Sequence, residues 1–217
     1  MNHSQADTVL TELHYLPNVA FFVQVQAFQK IVLEVNENYV KQSYRNRAYI
    51  LTANKIQALS IPVSRENKGK TKLKDVRINY SERWQNLHWR SLYSAYGKSP
   101  FFDFFADCFH DILYSKYAFL LDLNLSLLSK CLELLSWHDK QIILTDKYTE
   151  APENQWVDKR GQIDLKSAPP GDNSGSYQEY QQVFGKNFAP NLSVIDLLFC
   201  EGANANMIIR QSSPRHR

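Results

Sequence analysis

Ile31-Val32-Leu33-Glu34-Val35-Asn36-Glu37-Asn38-Tyr39-Val40-Lys41-Gln42-Ser43-Tyr44-Arg45-Asn46-Arg47 is the most informative stretch of this sequence. Its first five residues are largely apolar, without the alternation of a half-wet strand. A strand of that kind is buried on both faces, as in a parallel sheet. The polar residues follow at once: carboxylates, tyrosines, a lysine, arginines and amides. In open α/β sheets, ligands bind outside the carboxyl ends of the strands. The segment can therefore supply a general acid or base, an anion clamp and hydrogen-bond donors. It can equally be a buried polar network that pins a loop, with Glu37 neutralised by an arginine.

Upstream, Val9–Leu13 reads as a first strand, Pro17-Asn18 as a turn and Val19–Phe28 as a short helix. Downstream, Ala48–Thr52 and Ile56–Val63 form two strands joined at Ala53-Asn54-Lys55, and Val76–Tyr80 alternates as a half-exposed strand. Then the period changes. Ser81 is placed to cap a helix through Trp84, Leu87, His88, Ser91, Leu92 and Ala95, which Gly97 ends. Pro100 opens a second helix with Phe101, Phe104, Phe105, Cys108, Phe109 and Ile112 on its buried side. Asp122 caps a third, with Leu127, Leu128, Cys131, Leu134 and Leu135 inward. Gln141–Thr145 returns to strand.

Ala151–Ser176 is poor in apolar residues and contains Pro152, Pro169, Pro170, Gly171 and Gly175, the composition of a long loop or lid. Order resumes at Tyr180–Phe184. Asn191 or Ser193 caps a helix through Ile195, Leu198 and Phe199, ended by Gly202, and Gln211–Arg217 is a polar tail. Asp196 falls in the first turn of that helix, where the dipole favours a carboxylate, and it can also be a buried acid paired with an arginine. The order predicts one α/β or α+β domain over 1–210, with a Rossmann-like N-terminal sheet, a β-hairpin and a helical middle.

Composition narrows the function. At 217 residues, 44 % hydrophobic and 22 % charged, the chain is not disordered, collagenous or a disulfide scaffold. Glycine is scarce, 7 in all, and neither GxGxxG nor a P-loop occurs. Cys108, Cys131 and Cys200 are far apart and read as buried thiols. The six histidines show no metal-binding spacing, so neither metal nor cofactor is expected. The start is polar and no apolar run is long enough to span a bilayer, which predicts a cytoplasmic protein. The net charge of +3 divides unevenly: −3 over 1–38, +10 over 39–98, −5 over 99–164 and +1 over 165–217. Arg65, Lys68, Lys70, Lys72 and Lys74 look like a solvated hairpin loop, whereas Arg45, Arg47, Arg77, Arg83 and Arg90 suit an anion site or structural ion pairs. No nucleic-acid motif accompanies them.

Four stretches carry a family resemblance. Tyr39–Arg47 resembles a segment ending in NR or RNR, and Leu59-Ser60-Ile61-Pro62-Val63 an L-[ST]-[IL]-P-V strand. His88-Trp89-Arg90 with Ser94-Ala95-Tyr96-Gly97-Lys98-Ser99-Pro100-Phe101-Phe102 is similar to a paired-helix motif. Pro190-Asn191-Leu192-Ser193-Val194-Ile195-Asp196-Leu197-Leu198-Phe199 resembles the C-terminal signature. Together they look like the WbqC-like proteins of bacteria. In the opening motif Thr11 stands where many members have histidine, His14 where they have asparagine, and Ala20 where they have glycine.

The resemblance implies a group transferase, moving an amino-acid or acyl group onto a sugar in surface-polysaccharide or O-antigen assembly. The substrate would be a nucleotide sugar or another anionic metabolite. In that reading Glu37, or His88, is the catalytic base, and Arg45 and Arg47 bind phosphate or carboxylate. Tyr39, Lys41 and Asn46 position the acceptor, Asn191 and Asp196 contribute to binding, and 151–176 closes over the site. The alternative is a non-catalytic protein that binds a glycan or a partner of the same pathway. A homodimer is left open.

Overall fold

In the computed structural model, residues 6–64, 70–152, 155–172 and 175–213 are described. The polar start, Arg65 and Lys68 of the basic loop, and the tail beyond 213 lie outside them. Thr8–Thr11 forms β1, buried throughout. Asn18 caps α1 (Val19–Val25), accepting the Phe21 N–H at 3.2 Å, and β2 (Lys30–Leu33) follows. β3 (Arg47–Leu51) and β4 (Ile56–Ser60) make the expected antiparallel hairpin. Beyond Pro62, which has no N–H to donate to a ladder, β5 (Val63–Ser64) pairs with β6 (Arg77–Ile78). The strands expected at Ile56–Val63 and Val76–Tyr80 are thus shorter.

The helical middle is α2 (Trp84–Tyr96), α3 (Phe102–Tyr114) and α4 (Leu120–Leu134). Ser81 does not cap α2: its N–H is tied to Asn79 Oδ1 at 2.8 Å, and the helix starts at Trp84. Asp122 lies inside the first turn of α4 rather than capping it. In α3 the buried stripe is Phe102, Ala106, Phe109 and Leu113, one position round from the expected face, and Phe104 is 77 % exposed. The phenylalanines of α3 are spread over more than one stripe of the helix. Contacts of Phe102 and Phe109 with Phe199, at ring separations of 5.0 and 5.7 Å, select which side faces inward. Leu87 of α2 likewise points outward.

β7 (Gln141–Leu144) is where the sequence places it. β8 (Trp156–Asp158) corrects the reading of 151–176 as one long loop. Its few residues are too short to show periodicity, and they become a strand by pairing with β1. Later described residues of that segment are also tied down: Ile163 is buried, and the Ala168 carbonyl accepts the Tyr44 hydroxyl at 2.6 Å. Ser193 caps α5 (Val194–Glu201), and α6 (Ala205–Gln211) is an added helix. Ser213 N–H reaches Ser176 O at 2.8 Å, so the expected tail is anchored at its start.

The parallel sheet has the order β7-β2-β1-β8. The chain first adds strands on one side of β1 and then places β8 on the other. β1 and β8 therefore flank a topological switch point, where α/β sheets bind ligands. The first and last parts of the chain lock together: Ser193 Oγ donates to Leu16 O at 2.9 Å, Val194 N–H to Pro17 O at 2.9 Å, and Ala20 N–H to Asn191 Oδ1 at 3.1 Å. Asn191 has a positive φ of 55°, which asparagine tolerates better than most residues. The result is the mixed α/β architecture expected, with sheet, hairpin and helical middle. Among the described residues no helix is long and apolar enough to cross a membrane.

Candidate functional site

The strand register aligns Thr11 with Leu33, Leu33 with Leu144, and Leu10 with Asp158. Carried one step past the ends of β1, β2 and β7, and two steps past β8, it sets Thr145, Glu34, Glu12 and Arg160 in a row. The pairing continues that far, since Glu34 N–H donates to Thr11 O and Thr145 N–H to Leu33 O.

Glu34 is fully buried and fully used. One oxygen accepts Asn36 N–H at 2.9 Å and Thr145 Oγ1 at 2.8 Å; the other accepts Thr149 N–H at 2.9 Å and lies 3.5 Å from Arg160. Glu12 is different. Its Oε1 accepts the Gly161 N–H and the Arg45 Nη2 at 3.5 Å, while Oε2 is buried with no partner among the described residues. Glu37 takes the Arg45 fork on both oxygens, at 2.5 and 2.6 Å. Arg160 grips Asp158 at 2.7 Å and the Thr149 carbonyl at 2.6 Å.

Four carboxylates thus face two guanidiniums, and the cluster carries excess negative charge. Burial raises the Glu12 carboxyl above its ordinary value, although Arg45 and the Gly161 N–H pull it down. Burial also works against the Arg45 cation, but Glu37 and Glu12 outweigh it and hold the charge in place. His14 is enclosed between the Phe21 and Tyr44 rings, with neither nitrogen partnered among the described residues. Burial, with Arg45 adding to it, lowers its pKa to about 3, so it is neutral at physiological pH. Beside the row, Lys147, Tyr148, Thr149, Glu150, Ala151 and Trp156 line an open cavity of about 530 Å³.

Of the residues singled out in the sequence, Glu37 and Arg45 are brought together here. Tyr39 is buried, its N–H bonded to Thr71 O, and Lys41 is exposed. Asn46 ties its side chain to Ile61 O at 3.0 Å, fixing the hairpin against the loop. Arg47 opens β3 opposite Ser60. His88 sits in a separate network on α2. The Ser60 carbonyl can only accept, so Nε2–H donates to it at 3.2 Å, and Nδ1 accepts the Tyr15 hydroxyl at 2.9 Å. Burial lowers its pKa to about 4.

Asn191 bridges α1 and the 168–169 backbone. Asp196 has no arginine partner among the described residues, contrary to one reading of its position. Its carboxylate accepts Tyr96 at 2.8 Å, Tyr180 at 2.6 Å and Gln182 at 2.8 Å. Cys131 and Cys200 are buried and Cys108 half-buried, all free thiols.

Sequence reasoning missed Glu12, Asp158 and Arg160. The signal for Glu12 was present: it follows the first strand as Glu34 follows the second. The model of the WbqC-like protein family matches residues 13–166 and 172–208, a span holding every member of the cluster except Glu12. A protein of Mycobacterium tuberculosis named "Uncharacterized protein Rv1507c" is 25 % identical over 224 residues, covering 93 % of this chain and 96 % of its own. No solved structure matches. With most of its length matched by that model, this chain belongs to the WbqC-like protein family.

Proposed function

We propose that the protein is a group transferase of cell-surface polysaccharide assembly, placing an amino-acid or acyl group on a sugar in the cytoplasm. The observation that carries this is Glu12. It lies at the switch point, its pKa is raised by burial, one oxygen is fixed and the other has a free lone pair. A raised pKa and an unfilled acceptor oxygen are two of the properties of a general base, the third being reach once the acceptor opens a path to the buried Oε2. Glu12 Oε2 takes the proton from the acceptor hydroxyl or amine as its oxygen or nitrogen bonds to the activated carbonyl carbon. The leaving group departs from that carbon with the bonding electrons.

Glu37 and Arg45 act as positioning residues. The Arg45 fork is already filled by Glu37, so it orients Glu12 rather than clamping a phosphate. Lys41, exposed, and Arg47 are the cations offered to the anionic part of a nucleotide sugar.

The test is a thermal-shift screen against nucleotide sugars, nucleotides and activated amino acids, followed by turnover of any pair that binds. Ligand at a hundred times its dissociation constant adds about 2.7 kcal/mol. Glu12→Gln is expected to fold and bind but lose about 100-fold or more in rate. Unchanged turnover in that variant overturns the assignment. Binding without turnover in the wild type favours the glycan-binding alternative.

A further inference from the structure

β7 is an outer strand of the parallel sheet. Its ladder with β2 includes Gln141 N–H to Gln29 O at 2.9 Å and Thr145 N–H to Leu33 O at 3.1 Å. By the period of two, the N–H and C=O groups of Ile142 and Leu144 point away from β2. Proteins usually protect such an edge with charge or proline. Gln141-Ile142-Ile143-Leu144-Thr145 has neither, and Ile143 and Leu144 are 41 % and 39 % exposed.

We propose that β7 pairs antiparallel with β7 of a second copy of this chain, about a two-fold axis at Ile143, joining the two sheets edge to edge. The ladder restricts the register, because hydrogen-bonded pairs must use Ile142 and Leu144. Centred on Ile143, Ile142 exchanges bonds with Leu144 of the second copy, Gln141 lies opposite Thr145, and the Ile143 side chains face each other. The flanks then match in charge: Lys140 stands opposite Asp146, and Asp139 opposite Lys147. Lys140 already caps the carbonyls of Val25, Gln26 and Phe28, so Asp139 with Lys147 is the pair that closes each end. The neighbouring allowed registers match less well. Centred on Ile142, Lys140 faces Leu144; centred on Leu144, Ile142 faces Asp146. The interface is isologous and closes as a dimer.

Light scattering on the full chain is expected to give twice the chain mass. Ile143→Lys sets like charges face to face and is expected to give a folded monomer with an unchanged circular-dichroism spectrum. Lys147→Asp weakens the dimer at least tenfold, and Asp139→Lys added to it restores association. In a two-fold pair without mutual hydrogen bonds the Cα atoms are about 4.5 Å apart, within disulfide range. Ile143→Cys is therefore expected to cross-link under mild oxidation, whereas Gln141→Cys and the wild type are not. A monomeric wild type, a dimer that survives Ile143→Lys, or equal cross-linking at 141 and 143 overturns the proposal.

Discussion

Replacing Arg45 by methionine removes the cation between two buried carboxylates and keeps a long side chain. The guanidinium holds Glu37 at 2.5 and 2.6 Å and Glu12 at 3.5 Å, and the two carboxylate side chains are 13 % and 5 % exposed. Removing one partner of a buried pair costs about 3–5 kcal/mol, because the remaining charge is uncompensated. For a chain of this size that lowers Tm by about 6–20 °C. The hydrogen bond from Asn124 to the Arg45 carbonyl belongs to the main chain and survives.

The pH dependence separates charge from packing. Burial already raises Glu12, and Arg45 is the larger of the influences that pull it down. Without Arg45 its folded pKa rises further above the unfolded value. A carboxyl raised on folding contributes stability below its unfolded pKa and loses it as pH rises through the folded pKa. The deficit of Arg45→Met is therefore expected to be smaller at pH 5 than at pH 8. Urea unfolding at both pH values measures it, and Glu12→Gln in the same background should recover part of the loss. A deficit under about 1 kcal/mol near pH 8, or one equal at both pH values, would refute the charge argument and point to packing.

Asp196→Asn should destabilise the fold by about 2 kcal/mol in urea unfolding at neutral pH. The new amide nitrogen would face donors from Tyr180 and Gln182, and relief of the buried charge offsets only part of that conflict; a neutral effect would show that the network can reorient. Gly202→Ala should cost about 2 kcal/mol or more in a thermal melt. Gly202 has φ +56°, and an added Cβ would meet the Phe101 ring. A Tm within error of wild type would show that the ring gives way freely.

Much of the sheet was legible because its central strands are continuous apolar runs. Ile31-Val32-Leu33 cannot be wet on either face and still offset the entropy of ordering, whereas Gln141–Leu144 is apolar enough to read as a strand although, at the sheet's edge, it stays largely exposed. β8 was not legible, since three residues show no period and its strand character comes from the free edge of β1. The α3 face was misjudged because its aromatic residues support more than one stripe, and α5 chooses between them. The site divides the same way. Glu37 and Arg45 lie within one polar run, so their meeting could be anticipated. Glu12 and Gly161 are 149 residues apart and meet only through strand order, which no local spacing encodes.

The lock between the two ends of the chain bears on how the molecule is made. Leu16 and Ser193 are separated by 177 positions, and Ala20 and Asn191 by 171. Closing a loop of that size costs on the order of 4–5 kcal/mol of chain entropy. β1, α1 and β2 are synthesised before the 190s, yet the Leu16 carbonyl and the Ala20 N–H gain these partners only after the 190s have been synthesised. The N-terminal half must wait with Phe21 and Phe22 lacking their final cover, and completion of the fold is a late step that follows synthesis of the 190s.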